Sequence, residues 1–322
     1  MPRITVYACW ALCFASLASV VSAQSYPTRP IRMIVASAPG GGTDLAARIA
    51  GQNLAATLNQ QVIIDNRAGA AGNLAAAIAA KAPPDGYTLV MVSASHAINA
   101  SLYRKLPYDT LKDFTPVSQV TGSAYVFVVN PSLPVKMFPD FIALAKARKG
   151  KLAYASSGNG QAGHLAMELL KTLAAFDAVH VPYKGGAPAM MDLIAGQVDA
   201  FISSPPAAVP QVKAGKVRAL AVTSLKRSEL LPDVPTIAES GFPQYEVNGW
   251  NGLLAPAGAP GAIVNRIQSE LAKALKQTEV RDRMASSGLD AVGSTPAQFS
   301  ALIKVEISKW AKVIQQSGAT AE

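Results

Sequence analysis

Ile31-Arg32-Met33-Ile34-Val35-Ala36-Ser37-Ala38-Pro39-Gly40-Gly41-Gly42-Thr43-Asp44 is the stretch from which the rest of this chain is read. The β-branched run Ile31 to Val35 predicts a buried strand, and the alanine-rich segment Leu45 to Leu58 predicts a helix. Between them stand three consecutive glycines. Glycine lets the backbone come close to a bound group, and the first-turn N–H groups of a helix have no intrahelical partner. Strand, glycine turn and helix start therefore offer a seat for an anion. A tight turn in which Thr43 or Asp44 caps the helix explains the same residues. On this stretch alone both readings stand.

The pattern repeats downstream. Gln61 to Asp65 predicts a second strand, the turn Asn66 to Asn73 carries Gly69 and Gly72, and Leu74 to Lys81 predicts a helix. Pro83-Pro84-Asp85-Gly86 is a turn, and Tyr87 to Val92 predicts a third strand ending in Ser93-Ala94-Ser95-His96. Two βα units feeding a third strand imply a parallel sheet whose ligand crevice lies beyond the carboxyl ends of its strands. A loop, Leu102 to Thr115, then leads to an apolar strand, Ala124 to Val129.

A second α/β domain begins there. Its expected elements are the helix Phe138 to Lys149, the strand Leu152 to Ala155, the Gly/Ser loop Ser156 to His164 and the helix Leu165 to Leu173. The strand Val179 to Tyr183, the turn Lys184 to Pro188, the helix Ala189 to Ala195 and the strands Val198 to Ile202 and Arg218 to Thr223 follow. A return strand, Val247 to Leu254, precedes helices at Ala262 to Gln277, Glu279 to Ser286 and Pro296 to Gln316. The last carries Phe299, Ile303, Ile307, Trp310 and Ile314 at helical spacing, a stripe that suits a core. The expected organisation is a first domain of residues 24–124 and 250–322 and a second of 125–249, with a cleft between two lobes.

Residues 1–23 are read as a secretory signal: Arg3 is the positive start, Ile4 to Val21 is mostly apolar, and Val21-Ser22-Ala23 suits cleavage after Ala23. Both cysteines, Cys9 and Cys13, fall inside it, so the mature chain is expected to hold no disulfide. The net charge of +9 becomes +8 on cleavage, because Arg3 leaves and residues 1–23 hold no acidic residue. Lysine and arginine are dispersed, with no basic run interleaved with aromatics, and nucleic acid is not an expected partner.

Catalytic patterns are weak. Gly158-x-Gly160-x-x-Gly163 satisfies the dinucleotide fingerprint, with Asp177 roughly twenty residues on. An exported chain, however, is directed away from the main NAD pool, and Ser156 and Ser157 suit a carboxylate as well as a pyrophosphate. No G-x-S-x-G elbow occurs, and His96, His164 and His180 do not fall at metal-ligand spacing. Asp44, Asp192 and Asp199 are scattered over different elements, which suits capping and loop fixing. No catalytic residue, metal or cofactor is expected, and no titratable pair suited to catalysis should meet in the cleft. An exported α/β enzyme acting on a carboxylate or nucleotide is the alternative.

Several linked motifs carry a family resemblance. Tyr26-Pro27-x-Arg29-Pro30-Ile31, Pro39-Gly40-Gly41-Gly42-x-Asp44, Asn66-Arg67-x-Gly69-Ala70-x-Gly72, Asp85-Gly86-Tyr87-Thr88-Leu89, Val181-Pro182-Tyr183-Lys184-Gly185 and Leu231-Pro232-Asp233-Val234-Pro235-Thr236-Ile237-Ala238-Glu239 span the mature chain. Together they closely resemble the Bordetella uptake gene receptors, the solute-binding proteins of tripartite tricarboxylate transporters. The resemblance implies a two-lobed periplasmic-binding-protein fold of the Venus-flytrap, type II kind. It implies a periplasmic monomer that takes a small carboxylate and works with the transporter's membrane components. It also implies binding positions at Gly41, Gly42, Thr43 and Asp44, at Ser93 and Ser95, and across the cleft at Ser157, Asn159, Gly160 and His164, with Tyr183, Lys184 and Gly185 nearby. Asp44 is expected to fix the loop rather than touch an anion, since like charges repel. Many members carry an aspartate after the strand read here as Val198 to Ile202. In this chain Ser203-Ser204-Pro205 occupies the place, and Ser203 is taken as the candidate contact.

Overall fold

The computed structural model describes residues 26–320; the expected signal, residues 1–23, lies outside them. Two sheets organise the chain. The first has the strand order β11-β4-β10-β3-β1-β2 and is built from β1 (Ile31–Val35), β2 (Val62–Asn66), β3 (Thr88–Ser93), β4 (Phe114–Ala124), β10 (Asn248–Pro256) and β11 (Asp290–Ala291). The second has the order β7-β6-β8-β5-β9, from β5 (Val126–Val129), β6 (Ala153–Ser156), β7 (Val179–Pro182), β8 (Ala200–Ser203) and β9 (Arg218–Val222). In each, the strands that feed βα units run parallel: β2-β1-β3 in one lobe and β7-β6-β8 in the other. Antiparallel strands complete both sheets.

Strand alternation explains why both faces of the first sheet are covered. Ile31, Met33 and Val35 are buried on one face with Ala46, Ala47 and Ile49 of the helix Gly42–Leu58 and with Ile267 of the helix Gly261–Leu275. Ile34, Val90 and Val92 belong to the opposite core, with Ala75, Ala76 and Ala79 of the helix Asn73–Ala80. That second core continues into the other lobe through Phe299 and Trp310 of the helix Pro296–Ser317, Tyr245, Phe127, Phe138 and Leu165. The lobes therefore share apolar packing on the side where the chain crosses.

The crossing is stapled by one buried side chain. The Tyr125 N–H donates to Thr223 Oγ1 at 2.8 Å, and the Thr223 hydroxyl donates to the Val247 carbonyl at 2.6 Å. Thr223 thus holds the outgoing and returning segments together. Both segments pass close to it through backbone bonds as well, Thr223 N–H to Tyr125 O and Val247 N–H to Thr223 O.

Four elements differ from the sequence reading. Residues read within the loop Leu102 to Thr115 and just beyond it form β4, an eleven-residue strand between β10 and β11. A helix, Ser95–Leu102, begins where only the end of a strand was expected, and another, Pro205–Lys213, carries Pro205, Pro206 and Pro210. The helix expected from Leu45 starts three residues earlier, at Gly42, so the third glycine is helical.

Candidate functional site

Register brings the first lobe's loops to one edge. Val35 pairs with Asn66 of β2 and with Met91 of β3, so the chain leaves all three parallel strands at the same level. In the first loop Gly40 has a positive φ of 82°, which glycine adopts without strain. Gly41 is the N-cap, in extended conformation, and no side chain caps the helix. The first bond back to it is Leu45 N–H to Gly41 O at 3.0 Å. The amides of the first turn are left to other partners.

Asp44 is fully occupied in shaping that loop. Its Oδ2 accepts from the Gly40 N–H and from Arg48 Nε, and its Oδ1 from Asn66 Nδ2, each at 2.9 Å. Burial disfavours its charged form, but the bonds from Arg48, Gly40 and Asn66 outweigh this and hold its pKa below the usual carboxylate value. Asn66 Nδ2 also donates to the Ser37 carbonyl at 3.1 Å, tying the second loop to the first. Thr43 is buried beside Asp44 in the same turn.

The third loop faces the other lobe. Ser93 ends β3, and Ser95, the first residue of the next helix, donates its hydroxyl to Gln161 Oε1 of the second lobe at 3.0 Å. His96 turns inward instead, stacked on Tyr108 at 5.8 Å and edge-on to Phe114 at 5.1 Å.

In the second lobe, β6 leads into the loop Ser157 to Gln161 and the helix Ala162–Ala174, again without a side-chain cap. Ser157 and Asn159 are half-buried, and Gly160 is buried. The Gly160 N–H donates to His164 Nδ1 at 3.3 Å. His164 lies parallel to His180 with ring centroids 3.9 Å apart, and His180 stacks in turn on Tyr154 at 4.9 Å. His164 therefore supports the loop from behind. The Tyr183 hydroxyl is bonded to Asp192 Oδ2 at 2.7 Å; burial, then that bond, pushes its pKa up to about 12. Lys184 is exposed, and Gly185, with φ 125°, precedes the helix Gly186–Ile194. Ser203 is buried at the end of β8. The helix after it begins with two prolines, which have no N–H, and the Ala207 and Ala208 N–H groups are already bonded to the Ser204 carbonyl.

The lobes meet across these loops. A Cβ placed on Gly160 would lie 2.6 Å from Leu102 Cδ2, 3.3 Å from Asn99 Oδ1 and 3.4 Å from Ala71 Cβ, all of the first lobe. A Cβ on Gly42 would lie 4.0 Å from Pro206 Cγ. Gly42, Ser95 and Gly160 are thus brought to the facing surfaces, whereas the Asp44 carboxylate and the Tyr183 hydroxyl are spent on partners within their own lobes. Gln161, Asn99 and Pro206 complete these contacts without having been singled out in the sequence; Gln161 lay inside the Gly/Ser loop, the one signal that pointed to it.

The dinucleotide fingerprint has a packing explanation. A Cβ on Gly163 would sit 2.3 Å from the Ile202 carbonyl oxygen, so glycine here is what allows the helix to lie on β8. Asp177 follows the helix's C-cap and precedes β7, rather than ending a strand beside a ribose. Gly163→Ala is expected to destabilise the protein by about 1–3 kcal/mol through this backbone clash. Thermal unfolding checks it, and an unchanged melting temperature would mean that the helix does not pack so closely.

One nucleophile and base do meet. Ser156 Oγ and His180 Nε2 are 2.6 Å apart, but Ser156 is fully buried. Burial, the neighbouring His164 and Lys171 push the His180 pKa down to about 3 against a weaker pull from Glu168, which leaves it a poor base. Asp192 and Asp199 accept structural bonds, from Tyr183 and from the Ala153 N–H. Among the described residues no group of three His, Cys, Asp or Glu side chains is placed to hold a metal ion.

Residues 46–319 match the family described as the tripartite tricarboxylate transporter family receptor. The chain is 40% identical to protein BugT of Bordetella pertussis over 309 residues, 95% of this chain and 94% of that one. Among solved structures, R. palustris Rpa4515 with adipate superposes with a TM-score of 0.88 at 38% identity, covering 92% of this chain and 99% of its own. MatC from Rhodopseudomonas palustris with bound malate gives a TM-score of 0.84 at 35% identity, covering 90% of this chain and 100% of its own.

Proposed function

This chain belongs to the tripartite tricarboxylate transporter receptor family, a family of receptors rather than enzymes, and from that premise we propose that it captures a small dicarboxylate in the periplasm. In this reading, residues 1–23 are removed on export, 24–124 with 250–322 form one lobe and 125–249 the other, and the loaded monomer delivers its acid to the membrane components of a tripartite transporter. The observation that carries the proposal is the uncapped helix start at Gly42, facing Pro206 of the opposite lobe. Helix dipole and free amides favour an anion there. Hydrogen bonds to a charged partner contribute about 1.5–3 kcal/mol each, so a few amides and hydroxyls hold a carboxylate without an arginine.

Lack of a cap is not by itself diagnostic, because the helices at Gly261 and Thr278 have none either. What favours Gly42 is convergence: the Ser93–Ser95 turn and the Ser157–Gln161 loop border the same cleft, and closing two lobes over a ligand excludes water and strengthens each bond. The relatives with adipate and with malate bear dicarboxylic acids of six and four carbons, which supports a small dicarboxylate as the ligand here.

A thermal-shift screen of the mature protein against small carboxylic acids tests the proposal. An acid at a hundred times its Kd should stabilise by about 2.7 kcal/mol, a shift of a few degrees. No shift with any dicarboxylate, together with a shift on adding NAD, would overturn it.

A further inference from the structure

A second place where the lobes touch lies beside Pro206, at its chain neighbour Pro205. Gly288 follows the helix Thr278–Ala285 and precedes β11, so it belongs to the first sheet's lobe; Pro205 opens the helix after β8, in the second. A Cβ built on Gly288 would lie 2.2 Å from Pro205 Cβ, 3.1 Å from Pro205 Cγ and 3.3 Å from Leu230 Cδ1. The first distance matters most. Two Cβ atoms are fixed to their backbones, so no rotamer change relieves the overlap, whereas Leu230 meets Gly288 with the end of a flexible side chain. Two residues on, the Asp290 carboxyl is raised in pKa by burial and then by Glu229 of the second lobe, so the loop and that lobe approach along more than one pair of groups.

We propose that Gly288 seated against Pro205 is the stop that sets how far the two lobes close, making Gly288 a positioning residue for ligand affinity. The inference rests on the receptor reading above, since closure matters to affinity only if the ligand is held between the lobes. Contacts at Gly42, Ser95 and Gly160 are made from both sides at once, and a lobe held back by a methyl group at position 288 cannot complete them. The second-lobe partner is rigid: Pro205 is the first residue of its helix, where its fixed φ suits the helix start.

The test is a double-mutant cycle read by calorimetric titration with adipate and with malate, on wild type, Gly288→Ala, Pro205→Gly and the double variant. Gly288 has φ 72°, so alanine also strains its own loop; a change on the opposite lobe cannot relieve that strain, but it does remove the clash. Gly288→Ala is expected to weaken binding about tenfold or more, and Pro205→Gly to restore the double variant to within about threefold of Pro205→Gly alone. Wild-type affinity in Gly288→Ala, or a loss that Pro205→Gly leaves in place, overturns the proposal. Should wild type bind neither acid, adipate and malate are excluded as its ligands without bearing on the stop. Small-angle scattering then decides for the contact: a radius of gyration larger in Gly288→Ala and restored in the double variant supports the stop, and equal radii in all four proteins overturn it.

Discussion

Gly42→Val is expected to abolish binding of the acid while leaving the far-UV circular dichroism spectrum native. Gly42 is the first residue of its helix and has no positive φ, so a side chain there meets no backbone strain. A Cβ would lie 4.0 Å from Pro206 Cγ, an ordinary contact, and nothing else stands within that distance. Valine's γ-methyls reach about 1.5 Å further and are stiff at χ1, so they press on Pro206 across the cleft and cover the first-turn amides. Alanine fills only the allowed contact. Gly42→Ala should therefore retain measurable binding and Gly42→Val none, a contrast that a general loss of stability would not produce. Titration of both variants checks it; full affinity in Gly42→Val would move the site elsewhere.

Acid should destabilise this protein well before its carboxylates titrate. Burial pushes His96 down from the ordinary 6.5 to about 4, against a smaller opposing pull from the Thr110 backbone. Burial, then Lys171, lowers His164 to about 4, and burial with His164 and Lys171 lowers His180 to about 3. The unfolded chain takes up these protons near pH 6.5 and the folded one resists until about pH 4, so in that window the unfolded state binds more protons. Stability is then complete above pH 6.5 and falls with acidification until the folded values are passed. For fully buried His96 the slope approaches about 1.4 kcal/mol per pH unit. His96→Leu keeps an apolar neighbour for Tyr108 and Phe114 and has nothing to protonate. Its melting temperature should fall less steeply between pH 6.5 and 4.5 than that of wild type. Parallel profiles would show that His96 is not held neutral.

The parts of this fold legible in the sequence are those whose signal is local. Ile31 to Leu58 announces a strand, a glycine turn and a helix within thirty residues, and the stripe of the last helix buries Phe299, Ile303 and Trp310 as its spacing predicts. β4 escaped because its pattern is broken by Pro116, Gly122 and polar residues; it is a strand because β10 and β11 flank it, not because its residues prefer extension. The helix Ser95–Leu102 buries Ser95, His96 and Asn99, polar residues that read as a loop until their tertiary partners are known. Three prolines hid the helix Pro205–Lys213, although two of them stand at its first turn, where the missing N–H costs nothing.

At the candidate site the same division holds. Gly41 and Gly42 stand out by themselves, and the loop-fixing role of Asp44 follows from charge alone. Gln161 could not be matched to Ser95, 66 residues away, nor Pro206 to Gly42, because nothing in either stretch encodes the facing lobe. Pairs of that kind are set by how two separately folded sheets come together.

The central claim is that the acid's carboxylate sits on the helix start at Gly42. Titrating the mature protein, 15N-labelled at glycine and threonine, with adipate or malate and following its amide resonances tests this most directly. The account predicts that the Gly41, Gly42 and Thr43 amides shift together, saturating at the Kd found by calorimetry. Saturable binding that leaves all three unmoved would contradict it.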